Sequence, residues 1–162
     1  MKKTVLMLLV LCMVFFMTSC DGSGGSGGGG DDSSTKYVIS DINPKDDISS
    51  EIEAVSGGIK FTAIGVETII NDAITLKGND FSSTLKITED GMVMLNMTFT
   101  GTWSGNETSM TLNVKEEKDN ISGITQSSTE TWTYAVSDGG NTLVRNEAYP
   151  ATDNWHPTYK KQ

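Results

Sequence analysis

Through much of the second half of the chain, apolar and polar positions alternate with a period of two, the pattern of strands with one face buried. Val93, Leu95, Met97 and Phe99 alternate with Met94, Asn96, Thr98 and Thr100, and the pattern runs on through Gly101 to Trp103. Met110, Leu112 and Val114 alternate with Thr111 and Asn113, and Trp132, Tyr134 and Val136 with Thr133 and Ala135. Shorter strands are predicted at Tyr37–Ser40, Ile59–Ile64, Ile74–Lys77, Ser83–Thr88 and Thr142–Arg145. Between these runs stand Glu89-Asp90-Gly91, Ser104-Gly105-Asn106 and Asp138-Gly139-Gly140-Asn141, residue types that tolerate the positive φ of tight turns. Strands joined this closely pair as antiparallel hairpins.

Helical periodicity is scarce. Asp46 to Val55 places Ile48, Ile52 and Val55 on one face, with acidic residues at its start, and predicts a helix of two to three turns. Val66 to Ile70 is β-branched and fits either state. The polar segment Lys115–Glu130 reads as a long hairpin loop or a strand end. Residues 150–162 read as a C-terminal tail whose Trp155 and Tyr159 cover a barrel mouth or a sheet edge. The β domain is therefore expected over residues 36–149.

The first 35 residues follow another pattern. Lys2 and Lys3 precede an unbroken apolar run from Thr4 to Met17. As a helix this run would span about 21 Å, short of the ~30 Å hydrocarbon core, which suits a secretory leader better than a permanent membrane span. Asp21 to Thr35 is rich in Gly and Ser and reads as a tether, with an r.m.s. reach of roughly 20 Å. The 162-residue chain thus leaves enough for one hydrophobic core.

Charge narrows the classes of partner. Lys and Arg number 12 against 21 Asp and Glu, a formal net charge of −9. Removal of Lys2 and Lys3 with a leader makes the balance more negative still. Nucleic acid and anionic lipid surfaces both need basic patches, so neither is expected as an electrostatic partner.

Met17-Thr18-Ser19-Cys20 resembles the lipobox of bacterial lipoproteins, in which small residues precede a cysteine that becomes the acylated first residue. The resemblance implies a signal peptide over residues 1–19, lipidation of Cys20 with acyl chains of the palmitate class, and a tether over residues 20–35. The usual leucine is replaced by Met17. The implied location is the cell envelope, with the protein lipid-anchored at the outer membrane or cell surface, or at the inner membrane. Cys12 would leave with the leader and Cys20 would carry lipid, so no disulfide is expected to staple the domain.

From Ser83 onward the order is strand, Asp-Gly turn, long strand with Gly101-Thr102-Trp103, Gly-Asn turn, strand, then Trp132-Thr133-Tyr134 and Asn141-Thr142-Leu143. This order is similar to the lipocalin-like domains of small bacterial lipoproteins. It implies an all-β antiparallel meander forming a small barrel or half-barrel, with a two-sheet β-sandwich as the alternative. In lipocalins Gly-x-Trp opens the first strand, whereas here it lies past the middle of the chain. Phe99, Trp103, Trp132 and Tyr134 are the aromatic candidates to line an interior and contact an apolar ligand.

Catalytic chemistry finds little support. The one histidine, His156, lies in the expected tail, and no Gly-x-Ser-x-Gly elbow accompanies it. One histidine and no free cysteine in the mature chain leave no zinc site of the usual kind. The paired acids Asp46-Asp47, Glu89-Asp90 and Glu116-Glu117 match no calcium loop. No enzyme activity, metal or cofactor is expected. The expected role is a binding domain for a small apolar ligand or an envelope protein, the alternative being a structural or adhesion module with a filled core.

Overall fold

The computed structural model describes residues 34–43, 48, 50–148 and 155–162. The leader, Cys20, nearly all of the tether, Asp46-Asp47 and Tyr149 lie outside them. The described chain is all-β. Its strands are β1 (Thr35–Asn43), β2 (Glu53–Val55), β3 (Gly58–Ala63), β4 (Val66–Lys77), β5 (Asp80–Glu89) and β6 (Met92–Gly105). They continue as β7 (Ser109–Asp119), β8 (Thr125–Ser127), β9 (Thr131–Ser137), β10 (Thr142–Arg145) and β11 (His156–Lys161).

Neighbouring strands run in the order β1-β11-β10-β9-β7-β6-β5-β4, and β4 pairs back with β1. This ring is a closed eight-stranded antiparallel barrel, so the sandwich alternative does not apply. Closure uses half of β4: Ala73 to Leu76 pair with Val38 to Thr35, whereas Val66 to Asn71 pair with β3. A β2–β3 flap therefore continues the sheet outside the ring, and β8 forms a second flap on the distal half of β7.

Alternation sorts the side chains. On β4, Thr68, Ile70, Asp72, Ile74 and Leu76 are buried while every intervening residue is at least partly exposed. Phe81, Ser83 and Leu85 do the same on β5, and Met110, Leu112 and Val114 on β7. The apolar residues of these sets, with Tyr37, Ile39, Phe99, Trp132, Tyr134, Leu143 and Tyr159, belong to one contiguous core. Phe99 meets Trp132 edge-on at 4.8 Å between centroids, and Tyr134 meets Tyr159 at 5.9 Å. Such pairs add about 0.5–1.5 kcal/mol beyond the area they bury.

The barrel wall requires a glycine at position 101: a Cβ there would strike the Asn113 carbonyl and the Phe81 ring. At this point β6 and β7 change register, with Thr100 opposite Glu116 and Gly101 opposite Val114.

Three expectations are corrected. Residues 53–55 form β2, not the end of a helix. Gly57, at φ +73°, turns the chain so that Val55 pairs with Gly58, while Ile48 bridges to Ala63. The residues after 149 are not merely a tail: β11 is an inner strand of the ring, paired with β1 and β10. Pro157 and Tyr159 bury their alternate positions there, and polar neighbours hide that period in the sequence. β4 spans 12 residues rather than four, because the charged Asp72 interrupts its apolar pattern without interrupting the strand. Lys115–Glu130 behaves as expected, supplying the end of β7 and a short hairpin to β8.

Candidate functional site

The barrel holds two distinct compartments. The first is a polar cluster inside the core. Tyr159 on β11 donates its hydroxyl to Asp72 Oδ2 on β4 at 2.7 Å, and the Ser83 hydroxyl on β5 donates to Oδ1 at 3.5 Å. Arg145 on β10 sits over the Trp132 ring, its Cζ 4.6 Å from the centroid, and its Nε lies 3.8 Å from Glu147 Oε2. Burial pushes the Asp72 carboxyl up to about 6, against the lowering effects of the Tyr159 hydrogen bond, the Arg145 charge and Ser83. Burial, with the Asp72 charge beside it, also raises the Tyr159 phenol. The void among these groups is about 10 Å³, on the scale of one water molecule.

The second compartment is the open mouth at one end of the barrel. It is a cup of about 520 Å³, within the ~300–1,000 Å³ range of ligand pockets. Leu76, Met110, Val136 and Leu143 supply apolar surface, and Trp103 and Tyr37 supply aromatic surface. Both aromatic side chains are anchored. Trp103 Nε1 donates to the Gly78 carbonyl at 2.8 Å, and the Tyr37 hydroxyl donates to the Gly140 carbonyl at 2.8 Å.

The turn from Asp138 to Asn141 forms part of the rim. Asp138, Gly139 and Gly140 lie at φ +54°, +62° and +87°, a run of left-handed residues that glycine adopts without strain. Asp138 Oδ2 accepts from the Thr142 hydroxyl at 2.6 Å and from Lys160 Nζ at 3.3 Å, fixing that turn to β10 and β11. These contacts hold the Asp138 carboxyl below its ordinary value. Lys161 and Glu107 are the charged residues lining the cup.

The four aromatic candidates are therefore divided. Phe99, Trp132 and Tyr134 are buried around the 10 Å³ void, where they fill the core. Trp103 alone among them lines the open mouth. Asp72 and Arg145 were missed as interior residues. Their signal is a charge at an inward position of a period-two run, as in Ile70-x-Asp72-x-Ile74 and Leu143-x-Arg145. His156 is part of β11, partly buried, with Nδ1 3.1 Å from the Arg145 carbonyl.

The end opposite the mouth has a different character. Three hairpin turns there carry exposed Ile64, Met92, Val93, Met94, Ile121 and Ile124. Hydrogen bonds draw the turns together: Asp90 N–H donates to the Glu67 carbonyl at 2.9 Å, and Asn120 N–H to the Asn96 carbonyl at 2.8 Å. Ile64 is 79% exposed and sits at φ +53°, a conformation that β-branched residues rarely take.

Among the described residues no three His, Cys, Asp or Glu side chains are grouped to hold a metal, and no helix is long and apolar enough to cross a membrane. Comparison with protein-family models, curated proteins and solved structures finds no match to this chain.

Proposed function

We propose that the chain is a lipid-anchored, non-enzymatic binding domain of a bacterial cell envelope, and that a small apolar molecule sits in the barrel mouth. The observation that carries this reading is the open cup of about 520 Å³, with Trp103 and Tyr37 fixed among aliphatic side chains. An apolar ligand gains from leaving water there by about 25 cal/mol per Å² buried. The filled interior supports this placement, since a void of about 10 Å³ leaves no room for such a ligand deeper in the barrel.

Anchoring is proposed through Cys20, at the outer membrane or cell surface. Globomycin-sensitive processing and loss of membrane fractionation in Cys20→Ser are the expected results; unchanged fractionation would rule the anchor out. For the ligand, native mass spectrometry and organic extraction of the purified protein are expected to show a co-purified apolar molecule. Trp103 fluorescence is expected to respond to added fatty acid, and to lose that response in Trp103→Phe. A protein that carries nothing and ignores fatty acids, haem and bile acids would sink the ligand reading.

A second reading, an envelope interaction or adhesion module with a filled core, is favoured by the apolar turns at the other end. Ile64 carries backbone strain at φ +53° while its side chain, 79% exposed, gains nothing from burial, which suits a position used for contact rather than for folding. Replacing Ile64, Met92 and Ile121 by Ser would abolish partner binding under this reading and leave ligand binding in the mouth untouched.

A further inference from the structure

We propose that the occupant of the mouth is an acyl chain of the protein's own lipid, carried on Cys20. The inference rests on reading the mouth as an apolar-ligand site and Cys20 as lipidated. It names the ligand and its source.

The path of the chain points to it. Thr35, the first residue of β1, itself lines the cup. The segment preceding the domain is therefore delivered to this opening, and not to the opposite end with its exposed Ile64, Met92 and Ile121. Cys20 stands 15 residues before Thr35. A Gly/Ser-rich chain of that length has an r.m.s. reach of roughly 20 Å, enough to turn a group at its far end back over the rim. The tether is also short enough to matter energetically. A ligand held on a short flexible linker experiences an effective concentration on the order of millimolar, so weak intrinsic affinity suffices for occupancy.

Charge agrees in sign. Lys161 lines the cup and pairs in register with Tyr37, and Lys36 follows Thr35, while the segment ahead carries Asp21, Asp31 and Asp32. The cup shelters one chain while the protein is in water, against Leu76, Met110, Val136, Leu143 and Trp103. A bilayer, which can accept every chain of the anchor, draws it out again. The mouth then serves the aqueous stage of the protein's life, limiting exposure of its anchor.

The test compares two forms of the mature chain, Cys20–Gln162, with and without lipid, in detergent-free buffer. All eleven strands lie within it. Intact mass establishes that Cys20 carries the diacylglyceryl group in the first form. Each form is titrated with a dansyl-labelled fatty acid, read by energy transfer from tryptophan. The lipid-free form is expected to bind the probe, and the lipidated form to bind it at least about tenfold more weakly, since its own chain competes at high effective concentration.

Equal binding by both forms would overturn the inference and leave the mouth standing as a ligand site. No binding by the lipid-free form would overturn the ligand site and the inference with it. A chain found without lipid on Cys20 would overturn the inference through its anchor. A second readout uses Val136→Trp, which fills the cup. In lipidated protein it is expected to expose the sheltered chain and raise the assembly size on gel filtration above that of the unsubstituted lipidated protein; an unchanged size would count against a sheltered chain.

Discussion

Asp72 places a carboxylate in the middle of an apolar barrel, and its energetic signature is a slope of stability against pH. Its carboxyl is raised from 3.8 to about 6 in the folded state, mainly by burial. In the unfolded chain it returns to its ordinary value. Between these two values the folded protein holds more protons than the unfolded one, so stability falls as pH rises through the window. Below about pH 4 Asp72 is neutral in both states and the penalty is absent; above about pH 6 it is complete. Raising the carboxyl from 3.8 to about 6, at about 1.4 kcal/mol per tenfold change in proton affinity, corresponds to about 3 kcal/mol.

Asp72→Asn removes the titration while keeping an oxygen that can accept from Tyr159. Urea unfolding of both proteins at a series of pH values from 4 to 8 gives the difference in stability directly. That difference is expected to move by about 3 kcal/mol in favour of Asp72→Asn as pH rises, mostly between pH 4 and pH 6. Carboxylates held below their ordinary values, such as Asp119 and Asp138, bend the curve the other way at lower pH, but they cancel in the comparison. A flat difference would refute the argument. A difference that grew in favour of Asp72 would show that Arg145 and Tyr159 outweigh desolvation.

Tyr159→Phe removes the 2.7 Å hydrogen bond to Asp72, with an expected loss at pH 7 of about 1.5–3 kcal/mol in chemical denaturation. Gly101→Ala puts a methyl against the Asn113 carbonyl and Phe81, and is expected to cost about 1–3 kcal/mol or force a register shift, read by unfolding and by amide exchange along β6 and β7. Ending the chain at residue 154 removes β11 and its Tyr159. The ring then loses the strand joining β1 to β10, and loss of cooperative thermal unfolding is expected by circular dichroism. A folded truncated domain would restore the view of this segment as a dispensable tail.

The residues of the candidate site were legible in the sequence to differing degrees. Phe99, Trp132 and Tyr134 could be recognised as inward-facing from alternation alone. That they fill the interior, leaving Trp103 at the mouth, depends on how the ring closes around them. The mouth also draws on Thr35, Leu76, Leu143 and Lys161, which belong to four strands and share no local pattern. Asp72, Arg145 and Tyr159 meet from β4, β10 and β11, and no spacing along the chain records that meeting.

Alternation and turn chemistry are local properties, so the all-β character, the hairpins after Ser83 and the positions of the tight turns could be read along the chain. The expected leader, the proposed lipidation at Cys20 and the expected tether also stand apart from the domain in the sequence pattern. Tertiary structure decided the rest. It recruited β11 from the apparent tail, drew residues 53–55 into a flap and split β4 between β3 and β1. β11 is held to β1 by hydrogen bonding between segments more than 100 residues apart, and a backbone edge seeks a partner whatever side chains it carries. For that reason polar strands such as β11 can complete the barrel without announcing themselves in the hydrophobic pattern.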